Sequence, residues 1–255
     1  MNLVKNNSFM KGLFIAAALL IAYLPALKAQ IFSTVKIEFE KTTAFHAYLK
    51  DLDENIYNQL RDQVPQNSVK YYDFIGDSTH SIYLRGSRKE KEDPSINSWL
   101  VGDDKITFND YKNGLMTSQK TVFDQVFLMK DSLVKIKWKL TSDRRIIAGF
   151  DCRKAIGILD DTVAVFAFYT DDLMVSGGPE GIQGLPGMIL GVGVPRLHTT
   201  WFATKVEVIG VNLNAVQPPT RGKKVNRAAL MKELSEVLRQ KGASYGSKRM
   251  LDFSV

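Results

Sequence analysis

Hydrophobic and polar residues alternate along much of this chain, which is the pattern of strands with one buried and one solvated face. The clearest examples are residues 35–40 and 133–140. In the second segment, apolar residues that include Trp138 alternate with three lysines. This alternation predicts a strand over 133–140, with Trp138 buried and the lysines in water.

Further strand-like runs follow at short intervals and are separated by turn-forming residues. They cover residues 69–75, 81–85, 105–108, 116–123, 145–152, 162–169, 188–194 and 199–208. Residues 47–60 suit either a short helix or irregular structure. Residues 227–240 have helical spacing, with Ala229, Leu230, Leu234 and Leu238 close to one stripe. The sequence therefore predicts a mainly β fold, either a large curved antiparallel sheet or a half-open β-barrel, with a C-terminal helix.

One run departs from the alternation. Residues 163–169 are apolar throughout and include Phe166 and Phe168. Such a strand is covered on both faces, by a helix, a ligand or another layer. Two interpretations stay open: the run lines an apolar binding pocket, or it packs against the C-terminal helix.

The first 29 residues have the features of a secretory signal peptide. Lys5 and Lys11 come before or at the start of an apolar segment, and Ala29 is a small residue suited to a cleavage site. The apolar segment is shorter than the roughly 20 residues of a spanning helix. We expect cleavage near Ala29 without lipid attachment, and an exported protein that is periplasmic, secreted or associated with the outer membrane.

Charge and composition divide the chain into a signal peptide at 1–29, an antiparallel β domain at 30–220 and a basic segment with one helix at 221–255. The formal net charge of the chain is +7, and loss of the leader would leave +4. The basic tail suits either a solvated surface or a peripheral contact with a membrane surface. Export and the lack of a recognition motif argue against nucleic acid as a partner.

The sequence contains no familiar catalytic or metal-binding motif, such as Gly-x-Ser-x-Gly or His-Glu-x-x-His. Cys152 is the single cysteine and lies among apolar neighbours, which indicates a buried thiol without a disulfide. A catalytic thiol would instead need a histidine beside it, and the chain offers His46, His80 and His198. We expect a protein that is not an enzyme and that uses no cofactor or metal.

A stretch rich in glycine and proline begins at Gly177 and includes Gly184-Leu185-Pro186-Gly187. Pro followed by Gly predicts a type II turn in which Gly187 has a positive φ. The apolar residues 188–190 then predict a strand.

Several segments, in chain order, together resemble one family. They are Trp138, Ile147-Ala148-Gly149, Cys152, Lys154-Ala155, Tyr169-Thr170, Gly178-Pro179 and Gly184-Leu185-Pro186-Gly187. This order is similar to that of the GLPGLI family of exported bacterial proteins. Met188 stands where the family usually has Leu, and Phe168 where it commonly has Trp. The resemblance implies export and supplies no catalytic residue, and the pattern is also similar to the half-open β-barrels of periplasmic lipoprotein carriers.

These observations favour an exported, non-enzymatic binding or carrier protein that holds an apolar ligand or a partner segment on its sheet. An accessory or assembly factor for another envelope or secreted protein is the second hypothesis, and a hydrolase is the third. The expected partner is an unknown apolar ligand or envelope protein. The candidate binding residues are Gly178, Pro179, Gly184, Leu185, Pro186, Gly187, Met188, Ile189, Leu190, Phe166 and Phe168.

Overall fold

The computed structural model describes residues 33–88, 105–122, 125–159, 163–208 and 210–240. The predicted signal peptide and the basic residues beyond 240 lie outside these ranges. The described residues form a single twelve-stranded sheet with a C-terminal helix, which confirms the mainly β prediction. None of the described helices is long and apolar enough to cross a membrane.

The strands are β1 Thr34–Thr43, β2 Ser68–Asp77, β3 His80–Arg85, β4 Lys105–Asp110, β5 Leu115–Val122, β6 Gln125–Ser132, β7 Lys137–Ile147, β8 Phe150–Leu159, β9 Val163–Thr170, β10 Met188–Val194, β11 Thr199–Glu207 and β12 Lys223–Val225. The helices are α1 Phe45–Leu52, α2 Glu54–Leu60 and α3 Arg227–Gln240. The ambiguous segment 47–60 thus belongs to two short helices. They separate at Asp53, whose carboxylate accepts hydrogen bonds from the first backbone N–H groups of α2.

The strands lie in the order β12-β6-β5-β4-β3-β2-β1-β11-β10-β9-β8-β7. Neighbouring strands are antiparallel, except that β12 runs parallel to β6. Two runs of hairpins, β2–β6 and β7–β11, are joined by the pairing of β1 with β11. The sheet is open and ends at β7 and β12, so it is not closed into a barrel.

Directly paired residues lie on the same face of a sheet, so the strand register defines a core face and a second face. The core face carries a large cluster of buried side chains, among them Ile37, Phe39, Phe74, Val192 and Trp201. The segment 171–187 between β9 and β10 adds Leu173, Val175, Ile182 and Leu185 to this cluster. This segment therefore covers the core face.

The strand predicted to be covered on both faces is β9, and its two faces differ. Val163, Val165 and Ala167 are buried on the core face. On the second face Ala164 is exposed, and coverage increases only towards Phe168. The interpretation that this strand packs against the C-terminal helix is wrong.

Helix α3 packs instead on the strands at the other end of the sheet. Its Leu230 is buried against Met116 of β5 and against Phe127 and Met129 of β6. Ala229, which the helical spacing placed on the apolar stripe, is exposed. The helix thus covers the core face near β6, whereas segment 171–187 covers the core face near β9.

Strand β7 also differs from its prediction. It begins at Lys137 rather than at residue 133, and Trp138 is only half-buried. Leu140 is 52% exposed. The physical reason is position: β7 is the last strand of the sheet, so its side chains have a neighbouring strand on one side only.

Candidate functional site

The Leu-Pro-Gly motif forms a tight corner against the end of β9. The backbone N–H of Gly187 donates to the carbonyl oxygen of Leu185 at 2.9 Å, which closes a three-residue turn instead of the predicted four-residue type II turn. The predicted positive φ of Gly187 is confirmed at 141°. A side chain there would overlap the carbonyl oxygen of Thr170, so the corner needs glycine for close packing as well as for its backbone.

Most of the other predicted binding residues in this segment belong to the core, whereas Gly184 and Pro186 are exposed. Leu185 is 4% exposed, and residues 188–190 are fully buried. Gly178 has extended backbone, and Pro179 is the buried first residue of a short 3-10 turn at Pro179–Gly181. Most of the predicted binding residues therefore pack against the chain itself.

Phe166 and Phe168 lie on the opposite side of the sheet, on its second face. The rings of Phe166 and Phe168 are 6.2 Å apart, and Phe168 is 6.4 Å from the ring of Phe202. Phe166 lies over Gly193, where any side chain would collide with its ring. The guanidinium of Arg145 lies 4.5 Å from the ring centre of Phe202 and covers this end of the row.

An exposed apolar surface continues the row of phenylalanines. Ile156 and Ile158 of β8 are 43% and 55% exposed, and they pair directly with Phe166 and Ala164 of β9. We name Ile156, Ile158, Ala164 and Phe166 the aliphatic patch. On β7 the residues that pair with the two isoleucines are lysines, Lys139 and Lys137, so the patch has a basic border.

A buried charged cluster lies on the core face, beneath the 3-10 turn at Pro179–Gly181. Its centre is Glu180, whose φ of 58° is unusual for a residue other than glycine. Its carboxylate lies 3.4 Å from Lys41 Nζ and 3.5 Å from Lys105 Nζ. Lys120 stands directly opposite Lys105 across β4 and β5. We name these four residues the lysine–glutamate cluster.

Aromatic rings help to hold the buried charge of Lys41. Its ammonium lies 5.6 Å from the ring centre of Tyr72 and 5.3 Å from that of Trp201. The electron-rich faces of these rings attract a cation, which partly replaces the water lost on burial.

The cluster shifts the pKa of each member. Burial alone would raise the pKa of Glu180, but the charges of the three lysines outweigh it and lower that pKa. Burial would lower the pKa of Lys41, yet Glu180 raises it overall. Burial and neighbouring positive charge lower the pKa of Lys105, and for Lys120 they lower it to about 7.

Thr107 and Asn109, beside the cluster, each have a buried polar side-chain atom with no hydrogen-bond partner among the described residues. The two atoms are Thr107 Oγ1 and Asn109 Oδ1, on residues that are 1% and 2% exposed. Both residues belong to β4, on the same face as Lys105, and both contact Gly181, Thr107 through its Cγ2 methyl and Asn109 through Oδ1. Buried groups of this kind are rare in native proteins.

Sequence reasoning did not find this cluster, although one signal for it was present. The alternation of Val35, Ile37 and Phe39 continues to position 41, so the register of β1 places a lysine on the core face. Lys105, Lys120 and Glu180 are far apart in the chain, and only the sheet brings them together.

The cysteine and the histidines do not meet. Cys152 is buried, and burial raises the pKa of its thiol to about 12. His46 Nε2 donates to the carbonyl of Val64 at 3.1 Å, and His198 lies 2.9 Å from a carboxylate oxygen of Asp51. His80 Nε2 is 3.8 Å from a carboxylate oxygen of Asp110.

In the part of the chain that the structure describes, no group of three or more His, Cys, Asp or Glu side chains is arranged to hold a metal ion.

Comparison with known families gives a match to part of the chain. The model of a family described as "Protein of unknown function (Porph_ging)" matches residues 158–191. This segment contains β9 and the Leu-Pro-Gly motif, and nothing in the comparisons is specific to the GLPGLI family. No curated protein matches the chain significantly.

Comparison with solved structures gives matches at low sequence identity. Two crystal structures of PNGF-II, in space groups C2 and P21, align with a TM-score of 0.50 and 16% sequence identity. The alignment covers 79% of this chain and 32% of PNGF-II, so the chain spans about a third of that protein. An uncharacterized conserved protein from Thermus thermophilus aligns with a TM-score of 0.37 and 7% identity, over 83% of this chain and 99% of that one. At 16% identity the likeness to PNGF-II concerns the fold alone.

Proposed function

We propose that this chain is a non-enzymatic binding protein that acts after export and docks a segment of another envelope or secreted protein on the aliphatic patch. The observation that carries the proposal is the joint exposure of Ile156 and Ile158 beside Phe166. This proposal combines the binding hypothesis with the accessory-factor hypothesis, because the bound group is a segment of another protein.

The patch has the composition of a small docking surface. Cross-strand pairing brings its apolar side chains within about 5.5 Å of one another, so they present one continuous surface. Complete burial of one isoleucine side chain contributes about 1.5–3 kcal/mol. Lys137 and Lys139 on β7 border this surface with positive charge, which favours a partner segment with acidic residues beside its apolar ones.

A partner segment is favoured over an enclosed apolar ligand. The residues expected to line a pocket beside the motif, Leu185 and residues 188–190, already pack in the core of the chain. Phe166, Ile156 and Ile158 lie on the surface of the sheet, which suits an extended segment.

Photo-crosslinking tests the proposal. A photoreactive amino acid is placed at position 158 and, as a control, at position 140, where Leu140 is equally exposed on the core-face side of β7. In the cells that export the protein, we expect a discrete adduct from position 158 only. The substitution Ile156→Thr keeps a β-branched residue in the strand and should reduce the adduct at least fivefold. Equal adducts from the two positions would contradict the proposal.

The location is tested separately. The predicted leader implies that the exported protein begins near Gln30, so its intact mass should lack residues 1–29 and carry no acyl chain. Exported material that retains the leader would contradict this part of the proposal.

A further inference from the structure

The lysine–glutamate cluster contains more positive than negative charge among the described residues. Lys41 and Lys105 share the single carboxylate of Glu180, at 3.4 Å and 3.5 Å. Both distances are longer than the 2.7–2.9 Å of a close ammonium–carboxylate hydrogen bond, so one carboxylate serves as the counterion of two ammonium groups through two long contacts. The amino group of Lys120 adds further positive potential from across the strand pair.

The unpartnered hydroxyl of Thr107 lies on the same strand and the same face as Lys105. Thr107 is two residues from Lys105, and it is directly opposite Ser118, which is two residues from Lys120. Its Oγ1 has no hydrogen-bond partner among the described residues. A hydroxyl can donate a hydrogen bond to an anion that the lysines attract.

We propose that Lys105, Lys120 and Thr107 form a binding site for a small oxyanion, which is either a phosphate-like group or a carboxylate of a ligand. The oxyanion balances the surplus charge that Glu180 leaves and accepts the hydrogen bond of Thr107. Lys105 and Lys120 are each 8% exposed.

The site lies on the core face and the aliphatic patch on the second face of the sheet, so the two proposals are independent. The register of β1 and β11 with their neighbours places Lys41 on the same side as Val192 and Ala167, whereas Phe166 lies on the opposite side. Failure of one proposal leaves the other standing.

Binding of an anion at this site should be accompanied by a measurable uptake of protons by Lys120. The pKa of Lys120 is lowered to about 7, first by burial and then by the charge of Lys105, so the amine is close to half-protonated at neutral pH. An anion bound beside it favours the charged form. Binding at pH 7 should therefore take up about half a proton for each ion, as expected for a group near its pKa.

Calorimetry of the purified protein at constant ionic strength tests the site with two probes. Sulfate represents a tetrahedral phosphate-like group without titrating near pH 7, and acetate represents a carboxylate. We expect saturable binding of at least one probe, and the preferred probe identifies the source of the oxyanion. Titrations in buffers of different ionisation enthalpy measure the proton uptake.

Matched variants complete the experiment. Lys105→Met should weaken binding at least tenfold, whereas Lys139→Met removes the same charge from an exposed position and should leave binding unchanged. Thr107→Val replaces the unpartnered hydroxyl without a change in shape, so it should fold and weaken binding about threefold to tenfold, as expected for the loss of one hydrogen bond. Lys120→Met should abolish the proton uptake. Absence of saturable binding by both probes, or equal losses in Lys105→Met and Lys139→Met, would overturn the proposal.

Discussion

At the scale of single residues, Glu180 is the carboxylate at the centre of the buried lysine–glutamate cluster. It stands in a turn with a left-handed backbone, and its carboxylate is within 3.5 Å of two buried ammonium groups. A left-handed backbone is unfavourable for a residue other than glycine, and it persists only where the surrounding structure holds it in place. The buried lysines of β1 and β4 provide that constraint.

Removal of this carboxylate should destabilise the fold strongly. Glu180→Gln leaves buried lysines without their shared counterion, so we expect a loss of about 3–5 kcal/mol in the free energy of unfolding. Glu233→Gln breaks an exposed ion pair with Lys223 and should cost at most about 1 kcal/mol. Urea unfolding of both variants measures the difference. Equal midpoints would show that the carboxylate is not the counterion of the cluster.

Lys120 predicts a pH dependence of stability. Its pKa is lowered to about 7 in the folded state, first by burial and then by Lys105, from an ordinary value of 10.5. Above pH 7 the unfolded chain therefore binds more protons than the folded one, and stability rises with pH. Between pH 7 and 8.5 this group contributes an increase of about 1–2 kcal/mol. Lys105, whose pKa is also lowered, acts in the same direction.

Urea unfolding at pH 7, 7.75 and 8.5 checks this dependence. Lys120→Met should remove most of the increase, while the exposed Lys139→Met should retain it. A wild-type protein that loses stability over this range would disprove the assignment.

A comparison of Gly187 with Gly149 separates the cost of backbone strain from the cost of close packing. Gly149 also has a positive φ, but a side chain there meets nothing within 4 Å. Gly149→Ala should therefore cost only the strain of the backbone, about 1–2 kcal/mol. Gly187→Ala must also displace the carbonyl of Thr170, and we expect it to cost about 1–3 kcal/mol more. Thermal unfolding of the two variants measures this difference, and equal costs would mean that the corner tolerates a side chain.

At the scale of elements, most strands follow from the alternation of the sequence, and the exceptions have identifiable causes. The prediction for residues 35–40 is confirmed in β1, because both of its neighbours are strands of the same sheet. Trp138 has the same alternating pattern, yet it lies on an edge strand and is half-buried. Alternation indicates which residues share a face, but the position of a strand in the sheet decides how deeply that face is buried.

The edge position of β7 lowers the expected cost of truncating Trp138. The indole N–H donates to the carbonyl of Gln183 at 3.0 Å, and its ring packs on Gly157. Trp138→Phe should cost about 1 kcal/mol through the lost hydrogen bond. Trp138→Ala should cost less than the roughly 3–5 kcal/mol of a fully buried aromatic residue. Lys137→Ala is the exposed control, and a Trp138→Ala variant as stable as this control would exclude any structural role for the indole.

At the scale of the whole molecule, the two faces of the sheet carry different functional features. The core face holds the motif, segment 171–187 and the lysine–glutamate cluster, and the second face carries the aliphatic patch. The mainly β class and the C-terminal helix could be predicted from the sequence because they depend on local periodicity. The cluster could not, because Lys41, Lys105 and Glu180 come together only through pairings between distant strands and through the path of segment 171–187.

The central claim is that the motif supports the fold while the second face binds the partner. The most direct test is the yield of the photo-crosslinked adduct at position 158, measured in two variants well below their melting temperatures. Leu185→Ala should lower the melting temperature, since a buried leucine is worth about 2–5 kcal/mol, and should leave the yield unchanged. Ile156→Thr should reduce the yield at least fivefold with little change in melting temperature. Loss of the adduct in Leu185→Ala at an unchanged melting temperature would place recognition in the motif and contradict this account.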